Sequence, residues 1–180
     1  RVKASRNFAN KVWNASRFIM MNLGEDEVLE ADLSSLTAAD KWILSKVNRL
    51  AGEVTANMDS FELGIAVQKI YDFIWDEFCD WYIEMVKPRL WNREDKSRET
   101  ALWTLKTVLI HALKMLHPYM PFITEEIFCN LSGEESIMIS SWPEYTKAWD
   151  FAADEQAIET IKEAVRGIRN VRADMNVPNS

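Results

Sequence analysis

No apolar run in this sequence approaches the roughly 20 residues that a membrane-crossing helix needs. The best candidate is interrupted by Lys106 and Lys114. There is no cationic leader followed by a short apolar core, the mark of a secretory signal. A soluble, cytoplasmic chain with no membrane partner is the expectation. Cysteine is scarce: Cys79 and Cys129 are far apart and in no Cys-x-x-Cys pattern. That excludes a disulfide framework and predicts two reduced core thiols. His111 and His117 are the only histidines, and neither lies in Glu-x-x-His or His-Glu-x-x-His. Di-iron and zinc-hydrolase sites therefore have no support, and no metal is expected. Glycine and proline number five each, too few for a turn-rich β fold. No phosphate-cradling or dinucleotide-binding glycine loop occurs, nor a Gly-x-Ser-x-Gly nucleophile turn. Positive charge is not in excess either: 28 acidic against 21 basic residues give a net charge of −7. That balance argues against a general nucleic-acid coat, but not against one basic face on an acidic body.

What is present is enough for a core. Of 180 residues, 48% are hydrophobic and eight are Trp, which suits a single domain. Helical periodicity dominates. An opening helix over residues 1–23 ends at Gly24. Residues 25–32 form an acidic, solvated connection. Thr37 and Asp40 have capping-box form, and Trp42, Ile43, Val47, Leu50 and Val54 then repeat as a helix to about Met58. Asp59-Ser60 is expected to cap a third helix of about thirty residues, which Pro88 kinks or stops. A fourth helix covers residues 101–116, and His117-Pro118-Tyr119-Met120-Pro121 breaks it. A fifth covers residues 122–131 and ends at Ser132-Gly133. Residues 136–142 look β-like and too short to found a sheet, so an extended strap is predicted. Asp154 opens a last helix to about Ala173, with Ile158, Ile161, Val165, Ile168 and Val171 inward. The expected fold is all-α, an antiparallel helix bundle over 1–131, a strap over 132–150 and a C-terminal helix over 154–174. The abrupt helical start and the end just after Val177-Pro178 suggest a piece of something longer.

The opening helix carries the chemistry. At about 100° per residue, Phe8, Val12, Ala15 and Ile19 fall on one side, and Lys3, Arg6, Asn10, Asn14 and Arg17 on the other. Arg1, Lys3, Arg6, Lys11 and Arg17 lie in this stretch with no Asp or Glu. Phe18 points toward the Asn7, Lys11 and Asn14 flank instead of the apolar stripe. An aromatic ring between Arg and Asn is what single-stranded RNA needs: stacking on a base, donors and acceptors for a base edge, and charge for phosphate. The competing reading is a packed Phe18 with merely solvated cations. A second cationic run, Arg166, Arg169 and Arg172 with Lys162 one turn upstream, is equally open to solvation at a helix C-terminus. Asp76, Asp80 and Glu84 line one helical face, more naturally a polar face or paired with Arg from a neighbouring helix than catalytic.

Four stretches together resemble one family. They are Asn7-Phe8-Ala9-Asn10-Lys11-Val12-Trp13-Asn14-Ala15-Ser16-Arg17-Phe18; Asp80-Trp81-Tyr82-Ile83-Glu84 with Lys87-Pro88-Arg89-Leu90; Leu116 through Ile127 around His117-Pro118-Tyr119-Met120-Pro121; and Ile168-Arg169-Asn170-Val171-Arg172-Ala173-Asp174-Met175-Asn176-Val177-Pro178. In this order, and over nearly the whole chain, they resemble the valyl-tRNA synthetases. The resemblance implies a class I synthetase anticodon-binding domain, part of an ATP-dependent ligase that joins valine to its tRNA. Its implied partners are the anticodon loop of the valine tRNA and the catalytic core of the same polypeptide. The family's two ATP-handling signatures do not occur here, so no cofactor and no catalytic residue are expected in this stretch, with ATP belonging to the parent's catalytic core. Arg6 and Arg17, assisted by Lys11, are expected to hold phosphates. Asn10 and Asn14, beside Asn7, would read base edges, and Phe18 would stack a base. The alternatives are an isoleucyl- or leucyl-type domain, a structural spacer, or a protein-interaction bundle with exposed Trp residues.

Overall fold

The computed structural model describes residues 2–24 and 33–177, with side chains from residue 5 onward. Arg1, the side chain of Lys3 and the acidic connection at 25–32 lie outside the described residues. The elements are α1 (Val2–Asn22), α2 (Ala38–Asp59), α3 (Leu63–Asp72), a π-helical segment (Phe73–Tyr82), α4 (Ile83–Trp91), α5 (Arg98–Leu116), α6 (Pro121–Ser132) and α7 (Ala152–Asp174). Short 3₁₀ turns occupy Leu33–Ser35, Ile137–Ile139 and Lys147–Trp149. No strand occurs among the described residues, and no described helix is long and apolar enough to cross a membrane. The fold is all-α, a helix bundle whose core is built on Trp42, Phe78, Tyr82 and Phe128, each under 2% exposed. Burying such side chains is worth about 1.5–3 kcal/mol each.

Local signals set most boundaries. The Thr37 hydroxyl accepts from the Asp40 N–H, and the Asp40 carboxylate accepts from the Thr37 N–H, so both halves of the capping box form. Pro121 opens α6 at the position where its missing N–H costs nothing. Gly133 closes α6 at φ 74°.

The start of the third helix differs from expectation. Asp59 belongs to α2 and Ser60 is its C-cap, so neither opens α3. The α2 terminus is a Schellman motif, with Phe61 N–H donating to Met58 O (3.0 Å) and Glu62 N–H to Asn57 O (2.8 Å). This puts Phe61 at φ 59°, a left-handed conformation usually given to Gly. The helix then runs through α3, the π segment and α4. Pro88 does not stop it: α4 continues to Trp91, and Asn92 N–H donates to Pro88 O. A ring tolerated one turn from the helix end loses only one backbone bond.

The strap is also different in detail. Ser136 and Ser140 are extended, but a 3₁₀ turn lies between them, because the Ser136 hydroxyl accepts from Met138 N–H and Ser140 N–H donates to Ile137 O. The strap is tied down by side chains. Ile137 N–H donates to Glu125 (3.1 Å), Trp142 Nε1 to the Thr55 hydroxyl (2.8 Å), and Asn48 exchanges two bonds with the Thr146 backbone (2.7 and 2.8 Å).

The last helix is the largest departure. Ile158 is buried, but Ile161, Ile168 and Val171 are 52%, 61% and 56% exposed, and Val165 is half-buried. The side facing the bundle carries Glu155, Ile158, Glu159 and Lys162 instead. Arg49 grips Glu155 through both guanidinium ends (2.7 and 2.6 Å), and Ser45 adds a third bond at 3.0 Å. Trp42 Nε1 and Lys46 donate to Glu159 at 3.0 and 2.8 Å. Lys162 is fully buried, pairs with Glu77, and lies 4.6 Å from the centre of the Trp42 ring. The polar side of α7 is thus its packed side, because buried charges must be paired.

Candidate nucleic-acid interface

α1 packs on α5, α6 and the π segment. Phe8, Val12, Ala15 and Ile19 are all buried, as the periodicity requires. The end of α1 is fixed by α5: Arg98 donates to Asn22 O at 2.9 Å, a cation on the carbonyl end of the helix.

The opposite face is open. Arg6, Asn7, Asn10, Asn14 and Arg17 are exposed. Their side chains make no hydrogen bond or ion pair with any described residue. Arg6 and Asn10, Asn10 and Asn14, and Asn14 and Arg17 stand three or four residues apart, so each pair is adjacent on the surface. With a rise of 1.5 Å per residue, Arg6 and Arg17 lie about 16 Å apart along the axis. The strip can offer two guanidinium groups at its ends and amides between them.

Two expected members are placed differently. Lys11 is turned aside: it donates to Asp80 at 2.6 Å, and its ammonium sits 3.9 Å from the centre of the Trp75 ring. Phe18 is half-buried and packs against the core, leaving part of its ring accessible. One residue of this face escaped the sequence reading. Trp13 is 40% exposed and stands one turn before Arg17 and one turn after Asn10. Its wheel position, on the far side of the Arg strip from Phe18, was the signal that could have found it. The strip is flanked by aromatic rings on both edges.

The acidic ladder beside this face is largely answered by lysines. Of the ladder, Asp80 is held by Lys11 and Glu84 by Lys87, lysines where Arg was expected, and Glu77 beside them is held by Lys162. Burial pushes the Asp76 carboxyl up, helped by the negative charges of Asp80, Asp72 and Glu77. Burial also raises the Cys79 thiol to about 12, which keeps it an inert core thiol; both cysteines are free. The Tyr82 hydroxyl is pushed up by burial and by Asp40, to which it donates at 2.7 Å. Asp40 also accepts from Arg89 at 2.8 Å, so the Tyr82 and Arg89 of the second motif are structural fasteners. Burial lowers His111, and its Nδ1 lies 2.8 Å from Thr107 O. A cleft of about 490 Å³ is lined mainly by Phe8, Val67, Tyr71, Leu116, Tyr119 and Met120 and offers no acid–base pair.

Comparison with known proteins gives a consistent result. Residues 40–180 match the family described as the anticodon-binding domain of tRNA ligase. The valine–tRNA ligase of Clostridium acetobutylicum is 52% identical over 183 residues, covering all of this chain and 21% of the relative. That of Clostridium perfringens is 54% identical over the same length and coverage. That of Listeria innocua is 43% identical over 182 residues, again covering the whole chain. The chain spans about a fifth of the length of the relatives it matches. α1 precedes the matched family span but lies within the stretch shared with the ligases.

Proposed function

The chain belongs to the family of anticodon-binding domains of tRNA ligases, and from that premise we propose that the exposed face of α1 binds the anticodon loop of a valine tRNA. The observation that carries the reading is the uncommitted strip of Arg6, Asn10, Asn14 and Arg17 between Trp13 and Phe18. Arg6 and Arg17 hold phosphates at its two ends. Asn10 and Asn14, with Asn7 beside them, meet base edges, where an amide offers both donor and acceptor. Phe18 stacks a splayed base with the accessible part of its ring. Lys11 assists through its field, since its ammonium is already bound to Asp80. The longer ligase that carries such a domain joins valine to this tRNA at the expense of ATP, in the cytoplasm. The ATP chemistry lies outside this stretch, and the domain's contribution is to admit the right tRNA.

The test is binding of this chain to a valine anticodon stem-loop and to the same loop with its middle base changed, across several salt concentrations. The two phosphate contacts of Arg6 and Arg17 contribute roughly −1.4 to the log–log salt slope, at ~0.7 per contact for single strands. Binding that weakens about tenfold on the base change, as loss of a good base contact would produce, supports the reading. Equal binding to both loops leaves only backbone attraction, and absence of binding overturns it for the isolated chain.

A further inference from the structure

We infer that Arg166 and Arg169 form a second contact for the RNA backbone, held ready by Trp81; this rests on the reading of α1 as the anticodon-loop face. Trp81 is half-buried in the π segment, next in sequence to the Asp80 that Lys11 of α1 holds. Three cations of α7 surround its ring: Lys162 Nζ at 5.6 Å from the ring centre, and the guanidinium carbons of Arg166 and Arg169 at 5.8 and 5.5 Å. The π segment is therefore bonded to α1 through Asp80 and covered by the arginines of α7 at the next residue, Trp81.

Lys162 and the two arginines differ in what they have left to give. Lys162 is buried and spent on Glu77 and Glu159. The nearby carboxylates Asp80, Glu77 and Glu84 each already have a lysine. Arg166 and Arg169 are exposed and make no ion pair with any described residue. Their charge is uncompensated beside three carboxylates that lysines already neutralise, which leaves it available to an RNA strand.

The orientation of α7 sharpens the point. Solvation alone would turn these arginines outward and Ile161, Ile168 and Val171 inward. The ion pairs of Glu155, Glu159 and Lys162 impose the reverse, and so lay the arginines over Trp81 toward the π segment. A guanidinium held near an indole face by the ring's charge distribution keeps N–H donors free and loses less further freedom when a phosphate takes them. A fork of this kind binds a phosphodiester bidentately and reads no sequence.

The experiment repeats the stem-loop salt titration with R166Q/R169Q, R166K/R169K and, as reference, Arg17→Gln. R166Q/R169Q is expected to bind both loops about tenfold more weakly at low salt, with its slope smaller by about 1.4, two contacts' worth. The ratio between the two loops stays unchanged. R166K/R169K recovers the slope but only part of the affinity, since lysine keeps the charge and loses the fork. Thermal unfolding of each variant alongside checks that the bundle is intact, and the single substitutions replace any pair that fails to fold. If R166Q/R169Q matches wild type while Arg17→Gln weakens binding, the inference falls and the α1 reading stands. If R166Q/R169Q loses the base preference instead of uniform affinity, a backbone contact is wrong. If the wild-type chain binds neither loop, both fall together.

Discussion

Lys11 Nζ stands 2.6 Å from Asp80 Oδ1, across 69 residues of sequence, with the Trp75 ring beneath it. The contact joins α1 to the π segment and decides how the cationic face divides. A lysine that looked like one of a row of RNA contacts is part of the seam under them. Lys11→Gln should therefore lower the salt slope by less than the ~0.7 of a full contact, whereas Arg17→Gln should lower it by about that much. The same substitution should cost about 1 kcal/mol of stability, since a partly exposed pair and a cation–π contact are each worth about that or less. A paired salt titration and urea melt measure both.

Phe18 and Trp13 lie on opposite edges of the Arg6–Arg17 strip, and only one need meet the readable base. Phe18→Leu keeps an apolar side chain against the core while removing the flat ring. It should weaken binding to the stem-loop by roughly 1–3 kcal/mol, the worth of one stacked base, with the melt little changed. Trp13→Leu serves as the comparison. A loss confined to Trp13→Leu would move the stacking role to the other edge of the face.

Asp40 is fully buried, with Arg89, Tyr82 and Thr37 as partners. Arg89→Met leaves that carboxylate without its cation and should destabilise the bundle by about 3–5 kcal/mol. Tyr82→Phe removes one charge-assisted bond and should cost about 1.5–3 kcal/mol. Guanidinium titrations of the two variants rank them. A cost for Arg89→Met below that of Tyr82→Phe would contradict the assignment of the main ion pair.

Acid should loosen α7. Burial alone would raise the Glu159 carboxyl, but hydrogen bonds from Lys46 and Trp42 and the charges of Lys46 and Lys162 outweigh it and hold it at about 2, against an ordinary 4.5. Glu155 is likewise held down, with Arg49 and Ser45 overcoming burial. Carboxyls lowered by folding add stability that is complete above about pH 4.5 and is lost as pH falls toward 2. Stability measured from pH 6 to pH 2 should fall through that window, and Glu159→Gln should flatten the fall.

Phe61 holds φ 59° with its ring 89% exposed. Phe61→Gly removes the left-handed penalty without losing core contacts and should stabilise the isolated chain by about 1 kcal/mol. A destabilised variant would show that the ring packs on something in solution.

Helix identity, the capping box at Thr37 and Asp40, the stop at Gly133 and the buried stripe of α1 were all legible in the sequence. Each depends on contacts within a few residues, and local spacing encodes those. The exposed Arg and Asn strip of α1 was legible for the same reason. The end of α2 was not, because Phe61 occupies a left-handed position where local preference expects glycine, and the Schellman bonds form there without one. The ten-residue π segment was not, since its apolar spacing mimics an α-helix. The side of α7 that faces inward was not legible either, because its own periodicity favours burying Ile161, Ile168 and Val171. The choice was made by Arg49, Lys46, Trp42 and Glu77, some 85 to 117 residues away, which offer paired sites for Glu155, Glu159 and Lys162. Sequence determined which segments would be helices and which face of α1 would meet solvent. Only the tertiary structure decided which charges were spent inside the bundle, because pairing buried charges outweighed the apolar stripe.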